Sequence, residues 1–302
     1  MAEREDVRWG QAQRFEFIEW RAYWLGRVNR SDLTEKFRVS TPQASIDLQA
    51  YQEAAPNNLK YDQTEKAYVL GERFQPRFLR VSADRYLMQL NAIHNYAIQV
   101  SDTWFGSPPP VSVMPTIVRS VEPETLRQIL RAVDRRLELQ VEYQSLTNSR
   151  TRAIAPHSLA FDGHRWHARA WCVEHRDFRD FVLTRILSVG EAAPSNARSS
   201  DDMEWDTFVE LKVVAHPSLD DAQRSAIEHD YGMHGGQLIV RTRAALAFYL
   251  IKRMNLDLAS DAIPAERKQI FLTNLPEIER TIASARQQTL TKVSAQATAA
   301  QS

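Results

Sequence analysis

The sequence predicts an α+β protein with more than one domain, and three observations lead to that prediction. The chain has 302 residues, which is more than a single compact core normally holds. Apolar residues at helical spacing dominate both ends, whereas the alternation typical of strands dominates the middle. Two polar segments, 100–118 and 191–202, separate these regions. We therefore expect three domains, over 1–99, 119–194 and 203–302.

The composition excludes several classes of protein. Hydrophobic residues make up 43% of the chain and charged residues 25%, as in an ordinary globular protein. Lys+Arg and Asp+Glu both number 38, so any affinity for nucleic acid must come from local patches. The single cysteine, Cys172, can form no internal disulfide. With no secretion signal and no apolar run of roughly 18 residues, we expect a cytoplasmic protein without a membrane role.

Three helices are expected at the start of the chain. Helical spacing of apolar residues predicts the first over 11–27. Ser31 and Asp32 are expected to begin a short second helix, and Ser40 with the early Pro42 a third. The third helix should bury three residues, namely Ile46, Leu48 and Tyr51. Its outer residues should be Gln43, Ala44, Ser45, Asp47 and Gln49.

A hairpin and a closing helix should complete this region. The pieces NLKYD and KAYVL predict two short strands after a turn at 56–58, and a helix is expected over 84–98. Helices followed by a hairpin form a winged helix-turn-helix, in which small polar side chains read base edges and cations hold phosphates. The candidate DNA-binding residues are Arg30, Lys36, Arg38, Ser40, Thr41, Gln43, Ala44, Ser45, Gln49, Lys60 and Lys66. The alternative is a helical hairpin that binds no DNA.

The middle region predicts a small, strongly bent, mostly antiparallel sheet. A helix from Glu122 precedes it, with an apolar face of Leu126, Ile129, Leu130 and Val133. Strands are expected over 137–145, 151–155, 157–161, 164–173 and 178–187. After the second polar segment, the strands FVELKVVAH and LIVRT alternate with helices near 219–230 and 244–254. A helix from Pro276 should fray over the last residues, 294–302.

Arginine is concentrated in the middle region. Of the 38 basic residues 31 are Arg and 7 are Lys, and residues 119–190 contain 12 Arg, no Lys and 9 acids. The planar guanidinium pairs bidentately with phosphate or carboxylate, so this segment is suited to recognising shaped anions. Genomic codon bias is the alternative explanation for the overall ratio.

The strand GHRWHARAWC places its basic side chains on one face. Alternation puts Trp166, Ala168, Ala170 and Cys172 on one side and Arg165, His167, Arg169 and Trp171 on the other. Cations crowded on one face need a counter-charge, which makes this face a candidate polyanion site. The alternative is a solvated face balanced by Glu174, Asp177 and Asp180.

Catalytic chemistry has little support in the sequence. The spacing of His157, His164, His167 and His175 matches no compact set of metal ligands. Cys172 falls on the apolar strand face, as a core thiol would. We find neither a glycine-rich phosphate loop nor a serine elbow. We therefore expect no enzymatic activity, no metal and no cofactor.

With these residues identified, the chain resembles the WYL-domain transcriptional regulators. The likeness runs through Arg152 and the segments VEYQS (141–145), APHSL (155–159), RWHARAWC (165–172) and FRDFVLTRI (178–186). The chain is most similar to the branch of repressors encoded beside bacterial phage-defence systems of the BREX and CBASS kinds. The N-terminal segments RSDL (30–33) and QASIDL (43–48) resemble the winged helix-turn-helix of that branch.

The resemblance implies a homodimeric repressor with a ligand-sensing central domain of Sm-like β fold. In some relatives the ligand is single-stranded DNA, and the region after the central domain helps to build the dimer. Carried over residue by residue, the ligand pocket would comprise Tyr143, Ser145, Arg152, His157, His167, Arg169, Arg179 and Arg185. The Trp-Tyr-Leu of the family name reads Trp166-His167-Ala168 here, so the ligand's identity is not transferred. A histidine at this place can bond an anionic oxygen.

These expectations combine into one hypothesis. A homodimeric repressor of a phage-defence operon binds a palindromic operator, and a nucleotide or single-stranded nucleic acid at the central domain releases it. The alternative is an accessory subunit that binds single-stranded nucleic acid without sequence preference. A nuclease or nucleotide hydrolase is a third possibility, for which the sequence nominates no residues.

Overall fold

The structure, a computed structural model, describes residues 9–115, 117 and 119–299. The chain divides into two compact units, Met1–Thr116 and Ile117–Ser302. Among the described helices, none combines the length and the apolarity needed to cross a bilayer. Both units mix helices with antiparallel strands, which confirms the predicted α+β class.

In its described residues, the first unit contains four α-helices and a three-stranded sheet. The helices are α1 (Trp9–Leu25), α2 (Arg30–Phe37), α3 (Thr41–Ala54) and α4 (Ala83–His94). The strands are β1 (Arg27–Val28), β2 (Leu59–Asp62) and β3 (Ala67–Leu70), in the order β1-β3-β2. The β2–β3 hairpin confirms the predicted wing. The sequence did not predict β1, because two residues are too few to show alternation.

Local capping explains where α2 and α3 begin. The backbone N–H of Asn29 donates to the Asp32 carboxylate at 2.6 Å, so α2 starts one residue before the expected Ser31. The hydroxyl of Ser40 accepts from the backbone N–H of Gln43 at 3.3 Å, as expected for the start of α3.

The face that α3 buries differs in part from the prediction. Leu48 and Tyr51 are buried as expected, but Ala44 and Asp47 are also fully buried, and Ile46 is 58% exposed. Arg14 of α1 donates to Asp47 at 2.6 and 3.0 Å, so a charged residue can lie inward. This counter-charge lies 33 residues away in the chain, where the pattern of α3 alone does not show it.

The first residues of the expected linker pack against the core of this unit. Phe105 is buried, with its ring centroid 5.2 Å from that of Trp20. The ammonium group of Lys36 donates to the carbonyl oxygens of Ser101 and Thr103, both at 2.7 Å. Residues 101–105 therefore pack with α1 and α2. The expected helix over 84–98 ends earlier, at His94.

The second unit begins with a helix and a five-stranded antiparallel sheet. These are α5 (Pro123–Arg135), β4 (Leu137–Gln144), β5 (Ser149–Phe161), β6 (Trp166–Cys172), β7 (Asp177–Val182) and β8 (Ile186–Pro194). The strand order is β7-β6-β5-β4-β8. The strands expected over 151–155 and 157–161 are one bulged strand, β5. The strand expected over 178–187 is two, because a 3₁₀ turn at Leu183–Arg185 divides it.

The bulge in β5 changes the direction of one side chain. The pairing with β6 passes from Pro156↔Ala170 to Ser158↔Arg169, so His157 has no partner residue on β6. On β6, Ala168 and Ala170 are fully buried and pack with Ile129 of α5, and Cys172 is buried as the predicted core thiol. Leu130 of α5 was expected in this core, but it is 48% exposed.

The remainder of the second unit is an α+β fold with its helices packed on a three-stranded sheet. Its elements are α6 (Met203–Asp206), β9 (Phe208–Ala215), α7 (Asp221–Asp230), β10 (Gln237–Arg243), α8 (Ala244–Arg253), α9 (Ala265–Lys268), β11 (Ile270–Leu272) and α10 (Leu275–Ala299). The sheet order is β10-β9-β11. Most of these elements were predicted, but α6, α9 and β11 were not because they are short. Fraying was expected over 294–302, but α10 remains helical to Ala299, and 300–302 lie outside the described residues.

Candidate functional site

The outward face of α3 is the candidate reading surface for DNA. Pro42, Ser45, Ile46 and Gln49 share this face at positions i, i+3, i+4 and i+7, and none of them is buried. Sequence reasoning missed Ile46, because it assigned this apolar side chain to the core. An exposed apolar side chain on a recognition helix can contact a thymine methyl group.

The structure leaves most of the predicted DNA-binding residues accessible. Those at the surface are Arg30, Arg38, Ser40, Thr41, Gln49, Lys60 and Lys66, and Gln43 and Ser45 are partly exposed. Two others are not free to contact DNA. Ala44 is fully buried, and the ammonium of Lys36 is bound to two backbone carbonyls, where burial lowers its pKa.

A cleft of about 360 Å³ brings together five of the eight predicted ligand residues. They are Tyr143, Ser145, Arg152, Arg179 and Arg185, which line the cleft together with Leu146, Thr147, His175, Asp180 and Phe181. The β4–β5 turn and strand β7 form its walls. This cleft is the part of the predicted site that the structure assembles.

Positive charge predominates in the cleft. Arg152 donates to Glu174 at 2.6 Å and lies 3.1 Å from the Nε2 atom of His175. In the described part of the chain, Arg179 and Arg185 have no ion pair. Partial burial, followed by the charges of Arg179 and Arg152, lowers the pKa of His175. The cleft can therefore accept an anion.

Tyr143 and Ser145 line the cleft, but their hydroxyl groups are hydrogen-bonded to the protein backbone. Tyr143 is buried, and its hydroxyl accepts a hydrogen bond from the backbone N–H of Val182 at 3.2 Å. The hydroxyl of Ser145 donates to the carbonyl oxygen of Asn148 at 2.8 Å and so holds the β4–β5 turn. The arginines are left as the groups that can meet a ligand.

Arg169 lies in a buried cluster of carboxylates. Its Nε and Nη2 atoms donate to Asp202 at 2.7 and 2.9 Å, and Nη2 also donates to Glu204 at 3.2 Å. Its Nη1 atom is 3.5 Å from Asp180. Burial alone would lower the pKa of Arg169, but the hydrogen bonds and the charges of these acids raise it. Internal acids thus neutralise Arg169, and its side chain is buried.

The two remaining predicted residues also have internal acid partners. His157, at the bulge, has its Nε2 atom 3.0 Å from Asp202. The Nε2 atom of His167 lies 2.9 Å from Asp162. Burial would raise the pKa of Asp162, but hydrogen bonds from His167 and from backbone N–H groups lower it. The expected polyanion face of β6 is therefore a covered, charge-paired face.

Asp180 was among the acids named in the alternative prediction of a balanced face, but Asp202 and Glu204 were absent from the prediction. Residues 191–202 were expected to be a polar linker, but β8 continues to Pro194 and Asp202 is fully buried. Asp202 also caps α6, accepting from the backbone N–H of Trp205 at 3.2 Å. Burial raises the pKa of Glu204, whereas the hydrogen bonds of Arg169 and His157 outweigh burial and lower the pKa of Asp202. No periodic pattern marks either acid, so only their place before Trp205 could have drawn attention to them.

One group of side chains has the composition of a metal site. Ligand atoms of Cys172, Glu174 and His175 lie within 4.8 Å of one another. However, the guanidinium of Arg152 lies against both Glu174 and His175 and supplies the positive charge that a metal ion would bring. This donor set therefore does not fit a bound metal.

Comparison with protein families matches three consecutive parts of the chain. Residues 10–92 match the BrxR transcriptional regulator winged helix-turn-helix domain. Residues 124–190 match the WYL domain, and residues 208–278 match the BrxR transcriptional regulator C-terminal dimerization domain. The reading helix and the cleft thus lie in separate family domains.

The chain is also similar to curated proteins over nearly its whole length. It is 39% identical over 280 residues to the DNA-binding transcriptional repressor CapW of Escherichia coli (strain KTE188), covering 91% of this chain and 93% of that protein. CapW of Pseudomonas aeruginosa is 37% identical over 278 residues, with the same coverage. Among solved structures, proteasome accessory factor B/C of Arthrobacter aurescens matches with a TM-score of 0.24 and 14% identity, over 94% of this chain and 48% of that one. The curated relatives are regulators, as expected for a chain without a catalytic motif. The chain belongs to the CapW family of DNA-binding transcriptional repressors.

Proposed function

We propose that this protein is a DNA-binding transcriptional repressor that acts as a homodimer. The observation that carries the proposal is the outward face of α3, which follows α2 in a helix-turn-helix and leaves Ser45, Ile46 and Gln49 unburied. A recognition helix enters the major groove, and a dimer presents two of them to the half-sites of a palindrome. The names of the relatives support this assignment.

Contacts to DNA divide into two kinds. Thr41, Gln43, Ser45, Ile46 and Gln49 would read base edges, because these α3 side chains are exposed or partly exposed. The cations at the surface around this helix would hold phosphates and set the register on the duplex. They are Arg30, Arg38, Lys60 and Lys66.

We propose that the cleft of the central domain binds an anionic effector, a nucleotide or a single-stranded nucleic acid. Arg179 and Arg185 form no ion pair in the described chain, and they line the cleft beside Arg152. Guanidinium groups pair bidentately with phosphate oxygens. The effector was also expected from the sequence. We propose, in addition, the domain boundaries expected from the sequence, which are 1–99, 100–118, 119–194 and 203–302.

Asp180 gives the effector a route to the dimerisation domain. One side of this residue lines the cleft, and its Oδ2 atom accepts a hydrogen bond from the Tyr249 hydroxyl of α8 at 3.0 Å. Its Oδ1 atom faces Arg169, which holds Asp202 and Glu204. An anion in the cleft would repel the Asp180 carboxylate, which lines the same cleft, and so alter its contacts with α8. An effector acts only if it binds the DNA-bound and released dimers with different affinity.

We further propose that the repressor acts in the cytoplasm on a phage-defence operon and that the effector releases it from the operator. A gel-shift titration of the full chain against the DNA upstream of its own gene tests this, with a scrambled duplex as control. We expect operator binding at least a hundredfold tighter than binding to the scrambled duplex, reversed by a short single-stranded oligonucleotide. Equal affinity for both duplexes would refute a repressor. Single-strand affinity that equals or exceeds duplex affinity, without sequence preference, would favour the accessory-subunit alternative.

A further inference from the structure

Strand β10 is an open edge of the C-terminal sheet. In the described part of the chain it pairs with β9 and, at Gln237 alone, with His234. None of its seven residues is buried, whereas β9 buries four of its eight, and Ile239 of β10 is 47% exposed. A long edge strand without proline or a bulge is a template for pairing with another chain.

The hydrogen bonds of the ladder show which backbone groups are open. The N–H of Ala244 donates to the carbonyl of Thr207 at 2.8 Å and continues the β10–β9 register. Because bonding directions alternate along an antiparallel strand, the backbone groups of Val240 and the other even-numbered residues point to β9. Those of the odd-numbered residues point outward. The backbone groups of Gln237 are hydrogen-bonded to those of His234 at 2.9 and 3.2 Å. The outward backbone groups of Ile239 and Arg241, in the middle of the strand, are left without a partner strand.

We propose that β10 pairs antiparallel with β10 of a second copy of this chain, with Val240 at the two-fold axis. The inference rests on the proposed homodimer and assigns its interface. Ile239 of each copy would lie opposite Arg241 of the other, and the two sheets would form one sheet of six strands. The family model that describes 208–278 as a dimerization domain includes all of β10.

The charges of the strand select this register. A two-fold axis at Arg241 would place the two Arg241 side chains opposite each other, and an axis at Thr242 would place Arg241 opposite Arg243. Like charges directly opposite are destabilising. An axis at Ile239 would place the outward backbone groups of Arg241 opposite Gln237, whose own backbone groups are already hydrogen-bonded to His234. With Val240 at the axis, Ile239 and Arg241 exchange hydrogen bonds in both copies, no like charges meet, and only Arg243 at the end of the strand faces Gln237.

Cysteine cross-linking of the full chain tests the register. Val240 would face its own copy in a non-hydrogen-bonded pair, with Cα atoms about 4.5 Å apart, which lies within the range that a disulfide spans. We expect V240C to form a covalent dimer on mild oxidation. The matched control is T242C, on the same face of the strand. The Cα atoms of residue 242 in the two copies would lie roughly 13 Å apart, so this variant should not cross-link. The native Cys172 is buried and gives no background. Failure of V240C, or equal cross-linking of T242C, would overturn the proposal.

Charge reversal provides a second measurement, by sedimentation velocity. I239R would place two arginine pairs across the axis, and we expect it to raise the dimer dissociation constant at least tenfold. The double variant I239R/R241E turns each pair into an attraction and should restore the wild-type constant. Circular dichroism verifies that each variant folds. A dimer indifferent to I239R would place the interface elsewhere and leave the proposed homodimer intact, whereas a monomeric wild type at every concentration would refute the homodimer itself.

Discussion

Two groups of arginines on neighbouring strands differ in what neutralises them. Arg169 of β6 lies among Asp180, Asp202 and Glu204, and it is 4% exposed. Arg179 of β7 lies on the wall of an open cleft without an ion pair in the described chain. The strand pattern treats both as the same kind of residue. Alternation shows which face a side chain takes, but the cover of that face comes from residues elsewhere in the chain.

The largest difference between the two groups should appear in stability. Arg169→Ala would remove the guanidinium that Asp180, Asp202 and Glu204 share, and we expect the free energy of unfolding to fall by about 3 to 5 kcal/mol. Arg179→Ala, at an exposed position, should change it by less than about 0.5 kcal/mol. Urea denaturation followed by circular dichroism measures both. Equal losses would contradict the distinction between a structural and a ligand-facing arginine.

The acid side of the buried cluster should show the next largest effect. Asp202→Asn weakens the bonds to Arg169 and His157, and we expect a loss of about 2 to 3 kcal/mol at neutral pH. The pKa of Asp202 is lowered, so its contribution is present above the ordinary aspartate pKa, about 3.9, and is lost as the pH falls through the folded pKa. The difference from wild type should therefore shrink in acid. The exposed Asp206 supplies the control, Asp206→Asn, for which we expect a change of less than about 0.5 kcal/mol.

In the open cleft, the effect should fall on ligand binding. Arg179→Ala should weaken binding of a fluorescent single-stranded oligonucleotide by about 1 to 2 kcal/mol, a factor of roughly 5 to 30, because one charge-assisted phosphate contact is lost. Arg176→Ala removes the same charge from the adjacent turn, outside the cleft, and should have little effect. Fluorescence anisotropy at constant salt measures both. The same loss for both variants would indicate a diffuse charge effect and no cleft site.

The smallest expected effect concerns His175. Its pKa is lowered by burial and by the nearby arginines, and a bound phosphate would oppose their field and raise it. Binding of the oligonucleotide should therefore strengthen as the pH falls through the pKa of His175, by about 1 kcal/mol at most. Titration of the His175 ring by NMR, with and without oligonucleotide, measures the change. His175→Gln should remove it, and a pKa unmoved by the oligonucleotide would place the ligand elsewhere.

The sequence predicted most of the fold because local signals define most of its elements. The Ser40 cap with Pro42, the wing and the alternation of β4 depend on residues close together in the chain. The errors concern long-range partners. Asp47 lies inward because Arg14 forms an ion pair with it, and Phe105 is buried because its ring packs against Trp20. Neither partner is visible in the local pattern.

The candidate site was predicted in part for the same reason. The cleft residues Tyr143, Arg152 and Arg179 lie together because three strands of one sheet, β4, β5 and β7, carry them. Arg169 was assigned to the same site, but residues beyond the sheet neutralise it. Asp202 lies in a stretch of Ser, Asn and Asp that is typical of a solvated loop, and composition alone cannot reveal its burial.

The position of Asp202 has a practical consequence for dissecting the protein. A fragment that ends at Pro194 would contain the whole WYL sheet but would strip Arg169 and His157 of their shared carboxylate. A fragment that begins at Met203 would lose the cap of α6 and separate Glu204 from Arg169. Neither half would behave as an independent domain, so the smallest piece suited to isolated study of the sensor includes the polypeptide on both sides of this residue.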